Sequence, residues 1–103
     1  MEDEVKQKIQ KLVDSSKVFL FMKGSPDSPQ CGFSAKVVEI LNVAGAEFES
    51  FDVLEDFEVR EGVKEFGSWP TLPQLYVEGK LVGGCDIIME MQDSGELQKA
   101  LGL

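Results

Sequence analysis

The sequence predicts an α/β fold in which a four-stranded mixed sheet is flanked by helices on both faces. One observation is the order of the periodic segments, which reads helix, strand, helix, strand, helix, strand, strand, helix. A second is the run VFLFM at residues 18–22, which is too short for a helix and is typical of a strand buried on both faces. A third is the length of 103 residues, which supports one core and predicts a single domain over residues 1–103.

The first half of the chain contains two helices on either side of that buried strand. Asp3 or Asp14 could cap or terminate the first helix. Residues 24–30 are rich in proline and serine and predict a loop. The second helix is expected to start near Cys31 and to end before Gly45. The apolar positions at helical spacing are Val5, Ile9, Leu12 and Val13 in the first helix and Phe33, Val37, Leu41 and Ala44 in the second.

The second half of the chain repeats the alternation and then adds a hairpin. Residues 47–53 predict a second strand, which completes a βαβ unit. A helical pattern runs from Glu55 to a stop at residues 67–68, and residues 75–82 predict a hairpin. Asp86 is a plausible cap for the next helix. The remaining signals are Ile87, Ile88 and Met91 in that helix, an interruption at residues 93–95, and Leu97 and Leu101 in a last short helix.

Charge and composition exclude several classes of function. The net charge of −9 argues against nucleic acid as a partner, because phosphates require a basic footprint. The chain has no histidine, which excludes histidine-based acid/base and triad chemistry. No apolar run approaches the roughly 20 residues that a membrane helix requires, so no membrane partner is expected.

The N-terminal residues MEDE are acidic, which is untypical of a signal or transit peptide. We therefore expect a cytoplasmic location for the chain as given. A location in a mitochondrion or plastid is expected instead if a transit peptide has been removed.

The two cysteines, Cys31 and Cys85, limit the possible metal chemistry. A disulfide between them is possible, but a chain of this length does not require one for stability. Two cysteines without a histidine cannot complete a four-ligand zinc site within one chain. A metal centre would therefore take ligands from outside the chain.

Cys31 lies where a loop meets a helix, and this position favours a reactive thiol. Unpaired N–H groups and the helix dipole favour the thiolate, and Lys23 could add positive charge. The alternative is an inert buried cysteine. The polar loop before Cys31 and Gly32 after it argue for an exposed thiol instead. Because Ser34 occupies the fourth position of the Cys-x-x-Ser spacing, dithiol exchange within this motif is unavailable. The thiol can still form mixed disulfides or hold a metal.

Four segments together resemble the monothiol glutaredoxins of the CGFS class. They are Lys23-Gly24 with the proline-containing loop that follows, CGFS at residues 31–34, WPTLPQ at residues 69–74 and GGCD at residues 83–86. The resemblance covers nearly the whole chain and implies a thioredoxin-like fold. It also implies binding of glutathione and of a [2Fe–2S] cluster bridged between two protomers of a homodimer, with a monomer in the absence of the cluster.

The ligand requirement of a cluster agrees with that resemblance. A cluster is held by about four thiolates, and each chain offers one well-placed thiolate, Cys31. Two chains and two glutathione molecules would complete the set. Cys85 is the competing candidate, but the resemblance implies that its position contributes backbone groups to glutathione. Its alternative interpretation is a helix-start residue without a chemical role.

The resemblance also assigns residues to glutathione, which carries two carboxylates and an amine. Lys23, Arg60 and Lys64 resemble the contacts for the glycine carboxylate, and Asp86 resembles the group that receives the γ-glutamyl end. Without the resemblance, Arg60 and Lys64 would be interpreted as a solvated helix face paired with Glu61 and Glu65. Thr71, Leu72 and Pro73 resemble a segment in which the proline follows a cis peptide bond, which would turn the backbone groups of Leu72 toward the cysteine of glutathione. Gly83 and Gly84 would allow close approach of the ligand. Trp69 is expected to pack or to form surface near the cluster, and Phe33 to shield the site or pack against the helix.

Three functions remain open at this point. The preferred one is a carrier that passes a glutathione-ligated cluster to acceptor apoproteins and works with other iron–sulfur assembly proteins. The alternative is a glutathione-dependent thiol–disulfide oxidoreductase that acts through Cys31. A third is an interaction module, either complete or cut from a longer protein.

Overall fold

The uninterrupted apolar run forms the central strand of the sheet in the computed structural model, which describes residues 1–103. The four sheet strands lie in the order β4 (Glu49–Asp52), β1 (Val18–Met22), β5 (Gln74–Val77) and β6 (Lys80–Gly83). Strand β4 pairs parallel with β1, whereas β5 pairs antiparallel with β1 and with β6. The predicted mixed sheet is confirmed.

In chain order the elements are α1 (Asp3–Asp14), β1 (Val18–Met22), β2 (Gly24–Ser25), β3 (Ser28–Pro29), α2 (Gly32–Ala44), β4 (Glu49–Asp52), a 3-10 turn (Val53–Glu55), α3 (Phe57–Phe66), β5 (Gln74–Val77), β6 (Lys80–Gly83), α4 (Cys85–Ser94) and α5 (Leu97–Ala100).

Strand β1 is buried on both faces because successive side chains point into two separate apolar cores. Val18, Leu20 and Met22 pack on the face covered by α2, α4 and α5. Phe19 and Phe21 pack on the opposite face, which α1 and α3 cover. Helices therefore lie on both faces of the sheet, as the apolar run predicts.

The strand and helix after α2 are shorter than the sequence pattern suggests. Strand β4 covers only Glu49–Asp52, and the 3-10 turn at Val53–Glu55 follows it directly. The next helix, α3, begins after Asp56, whose Oδ1 accepts a hydrogen bond of 3.1 Å from the N–H of Val59. This N-cap delays α3 by two residues relative to the expected start at Glu55.

Helix ends follow the glycine signals more closely than the acidic ones. Gly45 and Gly95 end α2 and α4 in the left-handed region at φ +81°, where glycine avoids a steric cost. The expectation that Asp86 caps α4 is wrong, because Gly84 is the N-cap and Asp86 lies in the first turn. Similarly, Asp3 is the first residue of α1 rather than its cap, although Asp14 is its last residue. None of the helices combines the length and apolar character that crossing a membrane requires.

Candidate functional site

Cys31 is the N-cap residue of α2, with an extended backbone at φ −155° and ψ 137°. Its side chain is partly buried and makes no capping hydrogen bond. The first N–H groups of a helix have no partner within the helix and form the positive end of its dipole. The sulfur therefore lies next to unpaired backbone donors, as the loop-to-helix position predicts.

The pKa of Cys31 lies below its ordinary value. Burial is the largest single influence and raises this pKa, but the N–H groups of Ser34 and Phe33, the charge of Lys23 and the Ser34 hydroxyl together outweigh it. A lower pKa increases the thiolate fraction, and the thiolate is the form that attacks disulfides and binds metals. Lys23 thus has the electrostatic effect on Cys31 that the sequence indicates.

Ser34 has a structural role that sequence reasoning missed. Its side chain is fully buried, and its Oγ accepts a hydrogen bond of 3.1 Å from the backbone N–H of Lys23. This bond links the end of β1 to the first turn of α2 and so fixes Lys23 relative to Cys31. The pattern alone indicated only a missing second thiol, because the partner of a buried hydroxyl cannot be inferred from spacing.

The predicted loop after Lys23 contains a small antiparallel ladder, in which β2 pairs with β3. The N–H of Gly24 donates to Asp52 Oδ1 at 2.9 Å, and the N–H of Gln30 donates to the Lys23 carbonyl at 2.9 Å. Gly24 has φ +87°, and a Cβ atom there would lie 2.5 Å from the Ser28 carbonyl oxygen. Only glycine fits this position, so the close ladder that holds Lys23 depends on it.

The segment between α3 and β5 is held by a buried glutamine that sequence reasoning also missed. Gln74 Nε2 donates to the carbonyls of Trp69 at 3.0 Å and Thr71 at 3.3 Å, and its Oε1 accepts from Tyr76 Oη at 3.0 Å. Burial raises the pKa of Tyr76 to about 12, so its hydroxyl remains a donor at neutral pH. A Cβ atom at Gly67 would lie 2.5 Å from Tyr76 Oη, so the network also requires a glycine there. The sequence signal that could have indicated this role is the position of a glutamine beside an apolar strand.

Leu72 and Pro73 are buried and lie at the end of the segment that Gln74 holds. The Leu72–Pro73 peptide bond is cis, as the resemblance implies.

At the start of α4, Cys85 differs from Cys31 in its environment. Cys85 is buried, and burial together with the negative charge of Asp86 raises the pKa of its thiol, while Lys36 lowers it only in part. Its Sγ lies 3.8 Å from Met89 Sδ. Both cysteines are free thiols, so the disulfide that the sequence allows is absent from this structure.

The cations on α3 are only partly neutralised. Lys64 Nζ lies 3.2 Å from Glu61 Oε2, whereas Glu65 pairs with the N-terminal amine and Arg60 forms no ion pair. The solvated pairing considered for this face therefore applies to Lys64 and not to Arg60. Arg60 Nε is buried and has no hydrogen-bond partner.

All ten candidate residues line one groove of about 420 Å³, a size typical of small-molecule sites. Phe33, Trp69 and Pro70 also line it. Two buried donors in the groove, Arg60 Nε and Trp69 Nε1, have no partner. Buried polar groups are nearly always hydrogen-bonded, so this donor set suits an anionic ligand with oxygen acceptors. The ten residues are Lys23, Cys31, Arg60, Lys64, Thr71, Leu72, Pro73, Gly84, Cys85 and Asp86.

Comparison with known proteins agrees with this geometry, since residues 18–82 match the glutaredoxin family. The chain belongs to the glutaredoxin family. Because its Cys-x-x-Ser motif has one thiol, it is a monothiol glutaredoxin, as the motifs predict. The chain is 57% identical over 97 residues to monothiol glutaredoxin-S11 of Oryza sativa subsp. japonica. That match covers 94% of this chain and 20% of the relative, so the chain spans about a fifth of the relative's length.

Two solved structures share the fold of this monothiol glutaredoxin. The solution structure of reduced poplar apo GrxS14 has a TM-score of 0.84 and 53% identity, and covers 95% of this chain and 90% of its own. The crystal structure of a buckwheat glutaredoxin–glutathione complex has a TM-score of 0.85 and 25% identity, and covers 99% of this chain and 94% of its own. The predicted thioredoxin-like fold is confirmed.

Within this monothiol glutaredoxin, no group of three or more histidine, cysteine, aspartate or glutamate side chains could hold a metal ion. Cys31 has the lowered pKa that suits a metal-binding thiolate, whereas the pKa of Cys85 is raised. One chain can therefore supply one thiolate ligand to a cluster, and the other ligands would have to come from other molecules.

Proposed function

We propose that this monothiol glutaredoxin binds glutathione in the groove and carries a [2Fe–2S] cluster as cargo between two protomers, for delivery to acceptor apoproteins. The observation that carries the proposal is the single thiolate-favouring Cys31 at the rim of a groove with unpaired buried donors. Two protomers would supply two Cys31 thiolates, which is half of the four thiolates that a cluster needs. Two glutathione thiolates would supply the other half.

The charge pattern of the groove supports glutathione as the external thiol. Glutathione presents two carboxylates and one amine, and the groove presents Lys23, Arg60 and Lys64 with one carboxylate, Asp86. In this proposal the three cations bind the glycine carboxylate, since charge-assisted hydrogen bonds are the stronger ones. Asp86 and the first-turn N–H groups of α4 bind the γ-glutamyl amine and carboxylate.

The central part of glutathione is assigned to the segment that Gln74 holds. In the proposal, backbone groups of Thr71, Leu72 and Pro73 pair with the cysteinyl residue, and Gly84 and Cys85 contribute backbone beside it. Gly84 is the N-cap of α4 and carries no side chain that would obstruct this approach. The external thiol would thereby be held close to Cys31. The buckwheat glutaredoxin, whose solved structure is a complex with glutathione, supports this ligand class.

Delivery of the cargo follows from how its ligands would be held. Glutathione would be bound to the protein by hydrogen bonds and ion pairs alone, so it can dissociate from the groove. Its thiolate on the cluster can therefore be replaced by a thiolate of an acceptor apoprotein. A second thiolate of the acceptor would then replace the Cys31 thiolate in the same way. The chain supplies binding and orientation, and the raised pKa of Cys85 leaves that neighbouring thiol protonated and out of competition.

The test is anaerobic reconstitution with ferrous iron, sulfide and glutathione, followed by visible absorbance and sedimentation. We expect cluster absorbance together with a shift from monomer to dimer, and neither feature when glutathione is omitted. The Cys31→Ser variant should lose both, and the matched Cys85→Ser variant should retain both. Cluster formation by Cys31→Ser, or by a wild-type monomer without glutathione, would overturn the proposal.

A second candidate function is glutathione-dependent reduction of mixed disulfides, which the lowered pKa of Cys31 also favours. The Cys31 thiolate would attack the glutathione sulfur of a glutathionylated protein and release the protein thiolate. A second glutathione thiolate would then attack the new mixed disulfide, release glutathione disulfide and regenerate Cys31. Fast turnover in this reaction with no cluster on reconstitution would favour the enzyme over the carrier.

The context of this domain is also a proposal, because the rice relative is much longer than this chain. We propose that residues 1–103 act as one glutaredoxin unit, either alone or within a longer protein. The proposed site of action is the cytoplasm or an organelle.

A further inference from the structure

The indole N–H of Trp69 is a buried donor for which the fold provides no acceptor. Trp69 Nε1 has no hydrogen-bond partner, although the ring lies in the wall of the groove. A buried donor without an acceptor destabilises the folded state, so such a group in a folded protein requires an explanation. A ligand that accepts the hydrogen bond is one such explanation.

The backbone of Trp69 is fixed on both sides, which restricts where the ring can go. Its N–H donates to the Lys64 carbonyl at 2.9 Å, and its carbonyl accepts from Gln74 Nε2 at 3.0 Å. Gln74 is itself fully buried and bonded to Tyr76. The backbone that carries the indole is therefore anchored on both sides where it passes the groove.

Gly84 supplies a second, independent observation at the same place. A Cβ atom on Gly84 would lie 3.0 Å from Trp69 Nε1 and 3.2 Å from the Pro73 carbonyl oxygen. A side chain at position 84 would therefore press against the buried indole nitrogen, and glycine avoids that contact. Gly84 is also the N-cap of α4, so Nε1 lies beside the unpaired N–H groups of that helix start.

We propose that Trp69 Nε1 donates a hydrogen bond to the γ-glutamyl carboxylate of bound glutathione. The proposal rests on the proposed function, in which the start of α4 takes the γ-glutamyl end. A carboxylate has two oxygens and several lone pairs, so it can accept from the indole and from the α4 backbone together. Trp69 is thereby a specificity residue that reads one carboxylate, and Gln74 is the residue that positions it.

The experiment replaces the indole N–H without changing the shape of the ring. Trp69 is the only tryptophan, so 3-benzothienylalanine incorporated in place of tryptophan alters this position alone. Binding is measured by calorimetry with three S-methylated ligands, which cannot form disulfides. They are glutathione, its glycine ethyl ester, and 4-aminobutanoyl-cysteinyl-glycine, which lacks the γ-glutamyl carboxylate and keeps the amine.

The expected result is a loss of about tenfold or more in affinity for glutathione and for its ethyl ester, as is typical for a hydrogen bond to a charged group. The loss should disappear with the ligand that lacks the γ-glutamyl carboxylate. Trp69→Phe should give the same pattern, and thermal unfolding verifies that both variants are folded.

An equal loss with all three ligands would assign Trp69 a packing role and overturn the proposal. A loss that disappears only with the ethyl ester would move the contact to the glycine carboxylate and would also overturn it. Failure of the wild-type protein to bind any of the ligands is a different outcome, because it removes the proposed function itself.

Discussion

Two helices begin with a cysteine in the same groove, yet their thiols differ in pKa. Cys31 is the N-cap of α2 and its pKa is lowered, whereas Cys85 is the first residue of α4 and its pKa is raised. Both lie at the positive end of a helix dipole. The dipole alone therefore does not decide the reactivity of a thiol at a helix start.

The difference comes from burial and from the nearest charges. Burial raises the pKa of both thiols, but at Cys31 the backbone N–H groups of the first turn and Lys23 outweigh it. At Cys85 the adjacent carboxylate of Asp86 adds to the effect of burial. The first turn of α2 contains no acidic residue, whereas that of α4 contains Asp86. At Cys85, burial and one acidic side chain next to the sulfur together outweigh the helix dipole.

The largest expected effect is on reactivity with a thiol-alkylating reagent at neutral pH. Cys85→Ser should retain rapid alkylation, because the lowered pKa of the remaining thiol, Cys31, gives it a larger thiolate fraction than an ordinary cysteine has. Cys31→Ser should lose nearly all of it, since Cys85 is both buried and protonated. Mass spectrometry of the modified protein over time measures both rates. Comparable rates in the two variants would remove the distinction between the helix starts.

The next effect concerns the pH dependence of alkylation in those single-cysteine variants. The rate midpoint for Cys31 should lie below the ordinary pKa of a cysteine thiol, and that for Cys85 above it. Adding Asp86→Asn to the Cys31→Ser variant should lower the midpoint of Cys85. Asp93→Asn, at the other end of α4, is the matched control and should change little. An unchanged midpoint after Asp86→Asn would mean that burial alone raises this pKa.

A smaller effect concerns the hydrogen bond that fixes the start of α2. Ser34→Ala leaves the N–H of Lys23 without its partner, and we expect a loss of about 1–3 kcal/mol in the free energy of unfolding. Urea denaturation measures it. Ser94→Ala is the control at an exposed helix end and should cost less than about 0.5 kcal/mol. Equal costs for the two variants would show that the buried bond contributes little.

The smallest effect tests whether a distant cation distinguishes the two thiols. Lys36 lowers the pKa of Cys85 and is not among the influences on Cys31. Lys36→Gln should therefore raise the alkylation midpoint of Cys85 slightly and leave that of Cys31 unchanged. The shift should be smaller than that caused by Asp86→Asn. A shift at Cys31 of similar size would contradict the separation between the sites.

Sequence patterns predicted the elements well where periodicity and glycine signals agree. The buried run at residues 18–22 and the helix ends at Gly45 and Gly95 are confirmed, because steric and burial constraints act locally. Asp86 as a cap was wrong, since an acidic residue beside a helix start can lie inside the first turn as well as before it. The shortened strand β4 reflects the 3-10 turn that follows it, which has no clear periodicity.

The candidate site was predicted from motifs, and its ten residues line one groove. The supporting bonds were not predicted. Gln74 and Ser34 are buried polar residues whose partners come from other parts of the backbone, and Trp69 shows its unpaired N–H only in three dimensions. Their roles depend on which atoms the fold brings within hydrogen-bond distance, and spacing along the chain does not determine this.

The close approach at Gly67 couples three positions of the chain for protein engineering. Any side chain at position 67 would collide with Tyr76 Oη at 2.5 Å and approach Gln74 Oε1 at 3.0 Å. A substitution at residue 67 is therefore expected to be tolerated better when residue 76 is changed with it, for example to phenylalanine. That compensating change would leave Gln74 Oε1 without its donor. The effects of substitutions at positions 67, 74 and 76 on stability are consequently expected not to add.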